Sequence, residues 1–191
     1  MTEPLPLPDF VNWPIFPFEG DLRVKEPWPD LEHDLVRFGE GDKPCDACAK
    51  GDGESLWFDE HWRLNPPDKR HAVPLLFLET REHLDHHELD DDLAAEYGRL
   101  LVRIDRAFLA SGGIGRTHFN RWGDGGSHFH VWCYGRPIGT MSLLGFGMPM
   151  WAQILPPLPE DEWDAKLQAI VTELAKTGGT VTARSATSPG A

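Results

Sequence analysis

Ser127-His128-Phe129-His130-Val131-Trp132-Cys133-Tyr134 alternates apolar residues with histidines and large aromatics along its whole length. Successive side chains of a strand point to opposite sides. One face of this stretch therefore carries His128, His130, Trp132 and Tyr134, and the other Phe129, Val131 and Cys133. The second set suits a buried core, while the two imidazoles of the first lie about 7 Å apart. A glycine-rich turn, Gly123-Asp124-Gly125-Gly126, leads into the strand. Two close imidazoles opening off such a turn point to chemistry.

Working outward, alternating or apolar runs bounded by Gly, Pro or Asp predict further strands over Ser55–Leu64, Val73–Glu79 and Arg116–Arg121. Leu89, Leu93, Leu100, Leu101, Ile104 and Phe108 recur at helical spacing, which predicts one long helix from about His87 to Ala110, ended by Gly112-Gly113. A second helix fits Glu160–Lys176, with Pro159 and acids at its start and Gly178-Gly179 beyond its end. Hairpins with a long helix inserted between the second and third strands give an α+β fold with an antiparallel sheet. Residues 1–44 hold eight of the 17 prolines and several aromatics, and read as a Pro-rich arm packed on the domain of residues 45–176. Residues 177–191 lack such anchors and read as a disordered tail.

The chain has 191 residues, 40% of them hydrophobic, enough for one core, and no run approaches the roughly 20 apolar residues of a membrane span. Its net charge of −13 repels phosphate backbones, which excludes a nucleic-acid polymer as partner and leaves room for a small nucleotide in a local pocket. Three cysteines argue against a disulfide framework, and the N-terminus lacks the pattern of a secretory signal, so the expected setting is cytoplasmic.

Phe119-Asn120, the Gly-Asp-Gly-Gly turn and His128-Phe129-His130-Val131, closing on Gly135-Arg136-Pro137, resemble the histidine triad (HIT) superfamily of nucleotidyl hydrolases and transferases, including its galactose-1-phosphate uridylyltransferase branch. Cys45-Asp46-Ala47-Cys48 before the first strand, and Leu76 to His83 before the long helix, follow the same order. The resemblance covers about Cys45 to Pro137. It implies a HIT-like sheet and a reaction on a nucleoside phosphate derivative in which His130 attacks phosphorus and forms a covalent nucleotidyl-histidine. Gly125, Gly126 and Ser127 would then offer backbone N–H groups and a hydroxyl to the phosphate, and Asn120 a side-chain hydrogen bond. The glycine turn also fits a plain hairpin loop.

Cys45 and Cys48 read as a redox pair, as two unliganded thiols, or as half of a zinc site. The resemblance favours zinc, with His83 and His128 completing a Cys₂His₂ set and His86 or His87 as substitutes for His83. The third histidine of the usual motif is Trp132, which donates one hydrogen bond and relays no proton. Protonation of a leaving group then falls to Tyr134, the substrate or water. If Ser127 is the serine of the family motif, the register shifts so that Trp132 takes the nucleophile's place, and the protein is a catalytically inactive nucleotide-binding or interaction module. Residues 140–157, with three of the four methionines, read as a pocket cover, a core segment or a subunit interface. Trp57, Trp62, Trp122 and Trp163 are assigned to packing. HIT relatives often form dimers across the helix and sheet edge, so a homodimer is among the expected partners.

Overall fold

The structure, a computed structural model, describes residues 6–182. Its strands are β1 (Trp57–Phe58), β2 (Trp62–Asn65), β3 (Leu75–Thr80), β4 (Ile114–Asn120), β5 (His130–Pro137) and β6 (Thr180–Val181). Its helices are α1 (Asp46–Lys50), α2 (Asp91–Ala110), α3 (Gly147–Ile154) and α4 (Glu160–Ala175). The strands form one sheet in the order β4-β5-β3-β2-β1-β6, every neighbouring pair antiparallel. This is the expected α+β architecture with one long helix between hairpins.

Strand register sorts the side chains onto two faces. Leu64 opposes Leu78, and Leu78 opposes Val131, which stacks three buried aliphatics on one face. Arg63 opposes Glu79, Glu79 opposes His130, and Phe77 opposes Trp132 on the other. The long helix α2 covers the aliphatic face: Tyr97 packs edge-on to Phe129 at 5.2 Å, and Ile104 and Phe108 are fully buried. Gly135 permits that approach, because a Cβ there would lie 2.7 Å from the Phe108 ring. Asp90 caps α2 by accepting from the Leu93 N–H at 2.8 Å, and acids in the first turn suit the helix dipole. Gly112 and Gly113, both at positive φ, end the run. The C-terminal helix α4 packs against α2. No helix among the described residues is long and apolar enough to cross a membrane.

Three expectations change. Ser55–Leu64 is a hairpin, not one strand, because the Asp59 carboxylate accepts from the N–H groups of His61 and Trp62 and turns the chain. The strand expected from Ser127 begins at His130, since the Ser127 and Phe129 N–H groups donate outside the ladder, to the carbonyls of Phe38 and Leu84. The expected tail starts too early at Thr177. The Thr177 hydroxyl binds the Leu174 carbonyl, the Trp57 indole donates to the Gly178 carbonyl, and β6 pairs with β1. Residues 183–191 lie outside the described residues.

The arm packs on the domain at two places. Residues 10–18 lie on α3, where the Trp151 indole donates to the Ile15 carbonyl at 2.8 Å. Residues 37–44 return to the sheet end that carries the histidines, where Phe38 forms a bridge with Gly126.

Candidate functional site

Four side chains from distant segments converge at one end of the sheet. Cys45 caps the short helix α1, its sulfur accepting from the Cys48 N–H, so the helical turn places both sulfurs side by side. His83 comes from the loop after β3 and His128 from the residues before β5. The ligand atoms of all four lie within 4.8 Å of one another. Cys48 Sγ is 3.2 Å from His83 Nδ1, and His128 Nδ1 is 3.4 Å from each sulfur. With zinc bonds of about 2.3 Å to sulfur and 2.0 Å to nitrogen, a tetrahedral site separates such atoms by about 3.5 Å. The donor set and its spacing both fit zinc. His86 and His87 stay outside: His86 packs on Phe129, and His87 faces Asp85.

The other ring nitrogens fix the tautomers. His128 Nε2 donates to the Thr80 carbonyl at 2.8 Å, and His83 Nε2 donates to the Ser127 hydroxyl at 3.3 Å, whose proton goes to the Phe38 carbonyl. Each Nδ1 lone pair is thereby aimed at the cysteines. Burial pushes His128 down to about 4, keeping it neutral, and burial beside Cys45 pushes the Cys48 thiol up to about 11. A divalent cation would reverse the second effect, because only thiolates ligate.

Residues that sequence patterns do not flag lock this centre. Gly39, at φ +89°, packs so closely that a Cβ would lie 2.7 Å from the His83 ring and 2.8 Å from the Ser127 hydroxyl. Arg37 pairs with Glu40 and Asp85 and donates to the Gly123 carbonyl, and Arg121 also pairs with Asp85. Buried Arg63 donates to the Ala47 carbonyl within α1 and to Glu79, which also accepts from Asn65. Only the left-handed Gly39 turn carried a local signal, its flanking Gly-Glu-Gly. The rest are long-range pairs without periodicity.

His130 stands two residues beyond His128 in a different environment. Its Nδ1 donates to the His128 carbonyl at 2.9 Å, which leaves the Nε2 lone pair free on a half-exposed ring. Across the strand lies Glu79, and beside it Trp132 packs edge-on to Phe77 at 4.6 Å and to Trp122 at 5.8 Å and stacks on Tyr134. Asn120 opposes Trp132 in register on the same face. Tyr134 is fully buried with its hydroxyl pushed to higher pKa, so it is removed from the role of proton donor. Ser127 is likewise a correction: its N–H and hydroxyl both serve the Phe38 carbonyl, and neither is free for a phosphate. The N–H of Phe38 takes the Gly125 carbonyl. Gly125 and Gly126 have ordinary negative φ, and a Cβ on Gly125 would meet nothing within 4 Å, so they leave open surface without answering a backbone demand.

No protein-family model matches the sequence, and no curated protein matches it. Solved structures do match. A hypothetical histidine triad nucleotide-binding protein from Sulfolobus tokodaii is 13% identical, with a TM-score of 0.51 over 69% of this chain and 93% of its own. A zinc-bound histidine triad family protein from Mycobacterium smegmatis is 18% identical, with a TM-score of 0.50 over 70% of this chain and 94% of its own. A histidine triad protein from Marinobacter aquaeolei is 16% identical, with a TM-score of 0.52 over 68% and 94%. The six-stranded sheet and its inserted helix thus form the histidine triad fold.

Proposed function

We propose that this protein is a zinc-stabilised histidine triad nucleotidyl hydrolase or transferase acting on a nucleoside phosphate derivative through His130. The observation that carries the reading is the hydrogen bond from His130 Nδ1 to the His128 carbonyl, which fixes the tautomer needed for attack. His130 Nε2 bonds to phosphorus as the bond to the leaving group breaks. Water or a second acceptor then displaces the nucleotide from the histidine. On this reading the amide side chain of Asn120 and the open backbone at Gly125 and Gly126 bind phosphate oxygens, and Trp132 and Phe77 line the apolar side of the site. The cluster of His128 with Cys45, Cys48 and His83 supports the register in which His130, not Trp132, holds the nucleophile's place.

Zinc, held by those four residues, would supply a fixed structural charge. This chain's own part is the His128 backbone, anchored by its ring and presenting its carbonyl to His130. Thiolate ligands need reduced cysteines, which suits a reducing cytoplasm. The acidic surface suits a small nucleotide over a polymer.

A second reading has one specific observation in its favour. The Trp132 indole N–H is buried without a partner among the described residues, and an indole relays no proton to a leaving group. On that reading the protein binds nucleotides without turning them over. Intact-mass spectrometry after mixing with nucleoside phosphoramidates, dinucleoside polyphosphates, or a sugar phosphate with a nucleotide separates the two. The enzyme shows a nucleotidyl adduct that His130→Ala lacks; nucleotide binding with no adduct and no turnover on any of these substrates makes it a binding module.

A further inference from the structure

Glu79 on β3 and His130 on β5 are direct partners in register, so their side chains stand together on one face of the sheet. Side chains opposed in this way have Cβ atoms roughly 5 Å apart. The carboxyl group of Glu79 is buried, and its two oxygens are used differently. Oε2 accepts from Arg63 Nε at 3.1 Å and from Asn65 Nδ2 at 2.8 Å. Oε1 has no hydrogen-bond partner among the described residues, yet it is not one of the polar atoms sealed from solvent. Because both donors hold Oε2, a proton on this carboxyl group belongs on Oε1.

We infer that Glu79 is the catalytic residue that moves the proton Trp132 cannot, an inference that rests on the reading of His130 as nucleophile. In the first step the His130 Nε2 lone pair forms the bond to phosphorus and the bond to the leaving group breaks. The leaving atom keeps that electron pair and takes the proton from Glu79 Oε1. In the second step water attacks phosphorus and gives a proton to the Glu79 carboxylate, while the nitrogen–phosphorus bond returns its pair to Nε2. Both residues end as they began. Between the steps the nucleotidyl-imidazole is a cation, because Nδ1 keeps its proton on the His128 carbonyl, and the carboxylate formed across the strand opposes it.

The other groups on this face do not serve. Trp132 and Phe77, which adjoin His130, carry no proton that a leaving group can use. Tyr134 is buried with its hydroxyl pushed to higher pKa. His118 stands opposite Tyr134, four residues along β5 and so about 13 Å from His130. For Glu79, burial raises the carboxyl pKa above its usual value against the pull of Arg63, Asn65 and His130. That direction suits a group which must both give and take a proton. Arg63 keeps a second countercharge while Glu79 is protonated, since Asp52 lies 3.7 Å from Nη1.

Nucleoside 5′-phosphates of the common bases, prepared as 4-nitrophenyl esters and as phosphoramidates, test this on the full chain. Nitrophenolate leaves without a proton, whereas the amine needs one. Glu79→Gln keeps the shape and an oxygen for Arg63 and Asn65, and is expected to release amine about 100-fold or more slowly than the wild type. Its first release of nitrophenolate stays within about threefold, and the nucleotidyl adduct then accumulates in the intact mass because no base activates water. Glu79→Asp, whose carboxylate is withdrawn by one methylene, shows the same split at about tenfold and covers the case in which the glutamine variant fails to fold. Equal losses on the two kinds of substrate, or wild-type turnover of both, overturn the inference. A wild type that forms no adduct and turns over neither defeats the His130 reading and this inference with it, a result distinct from the others, in which the wild type is active.

Discussion

His128 and His130 are two residues apart, yet the regions around them are built on opposite principles. Around His128 nearly every polar atom has a partner: Nε2 on Thr80, Nδ1 beside two sulfurs, and the neighbouring Ser127 hydroxyl between His83 and Phe38. On the sheet face that holds His130, four buried polar atoms have no partner among the described residues: Asn65 Oδ1, Trp132 Nε1, His118 Nε2 and Arg136 Nε. A satisfied network rigidifies, and an unsatisfied one costs stability unless something else completes it. The end that gathers Cys45, Cys48, His83 and His128 is therefore a scaffold over-determined by its contacts, and the His130 face is where the fold bears an energetic cost.

The contrast predicts first that the scaffold dominates stability. Removing zinc with a chelator, or replacing Cys48 with Ser, is expected to lower the melting temperature by at least 10 °C, whereas His130→Ala moves it by under 2 °C. Differential scanning calorimetry of the three samples decides this. Equal shifts from Cys48→Ser and His130→Ala would erase the distinction between the two regions.

Next comes Gly39→Ala. An alanine there adopts a left-handed φ and drives a methyl into the His83 ring and the Ser127 hydroxyl, for a combined cost of about 3 kcal/mol. Urea unfolding of the zinc-loaded protein measures it. The same substitution at Gly125, where a Cβ meets nothing, is expected to cost under 0.5 kcal/mol.

Much of this contrast was readable from sequence alone, and the part that was not has a common cause. Two-residue alternation correctly assigned Phe129, Val131 and Cys133 to the core and Trp132 to the other face, because that period is intrinsic to a strand. The resemblance to the histidine triad superfamily, and not periodicity or spacing, implied the grouping of Cys45, Cys48, His83 and His128 that the structure brings together. Ser127 was misread because its partner, Phe38, lies 89 residues away and leaves no trace in local pattern. The Arg37–Asp85 pair, 48 residues apart, and the Arg63–Glu79 pair were missed for the same reason. The turn at Asp59 had a local signal, an acid able to cap its own turn, that a continuous apolar reading of Ser55–Leu64 passed over.

The pH response sharpens the scaffold side further. The Cys48 thiol, held up to about 11 by burial, must lose its proton when metal enters, while His128, held down to about 4, has none to lose at neutral pH. Apparent zinc affinity should therefore rise at least about tenfold per pH unit between pH 6 and 8, and fall as pH drops. Competition titrations with a chromogenic chelator at three pH values read the slope. A flat profile would mean that the thiol is already ionised before the metal arrives.

On the His130 face, Trp132→His tests whether the unpartnered indole is a cost of function. Histidine at that place restores a group able to move a proton, and formation of the nucleotidyl adduct should accelerate about tenfold. The lost packing on Phe77 and Tyr134 should cost about 2 kcal/mol. Stopped-flow quench with mass detection follows the first effect and thermal unfolding the second. Faster chemistry with no loss of stability would show that the tryptophan contributes nothing to the packing of this face.

The smallest effect expected is at Ser127, and it bears most directly on how the two regions meet. Were Ser127 a phosphate-binding residue, Ser127→Ala would weaken nucleotide binding and leave zinc unchanged. The geometry demands the reverse: without the hydroxyl, His83 Nε2 loses its acceptor and the Phe38 carbonyl one of its donors, so zinc affinity should drop about tenfold. Nucleotide affinity, measured on the zinc-saturated protein, should change less than twofold. Ser127 adjoins His128 and stands three residues from His130, so this one substitution asks on which side of the boundary between scaffold and reactive face the glycine turn falls. Its hydrogen bonds place it on the side of the scaffold.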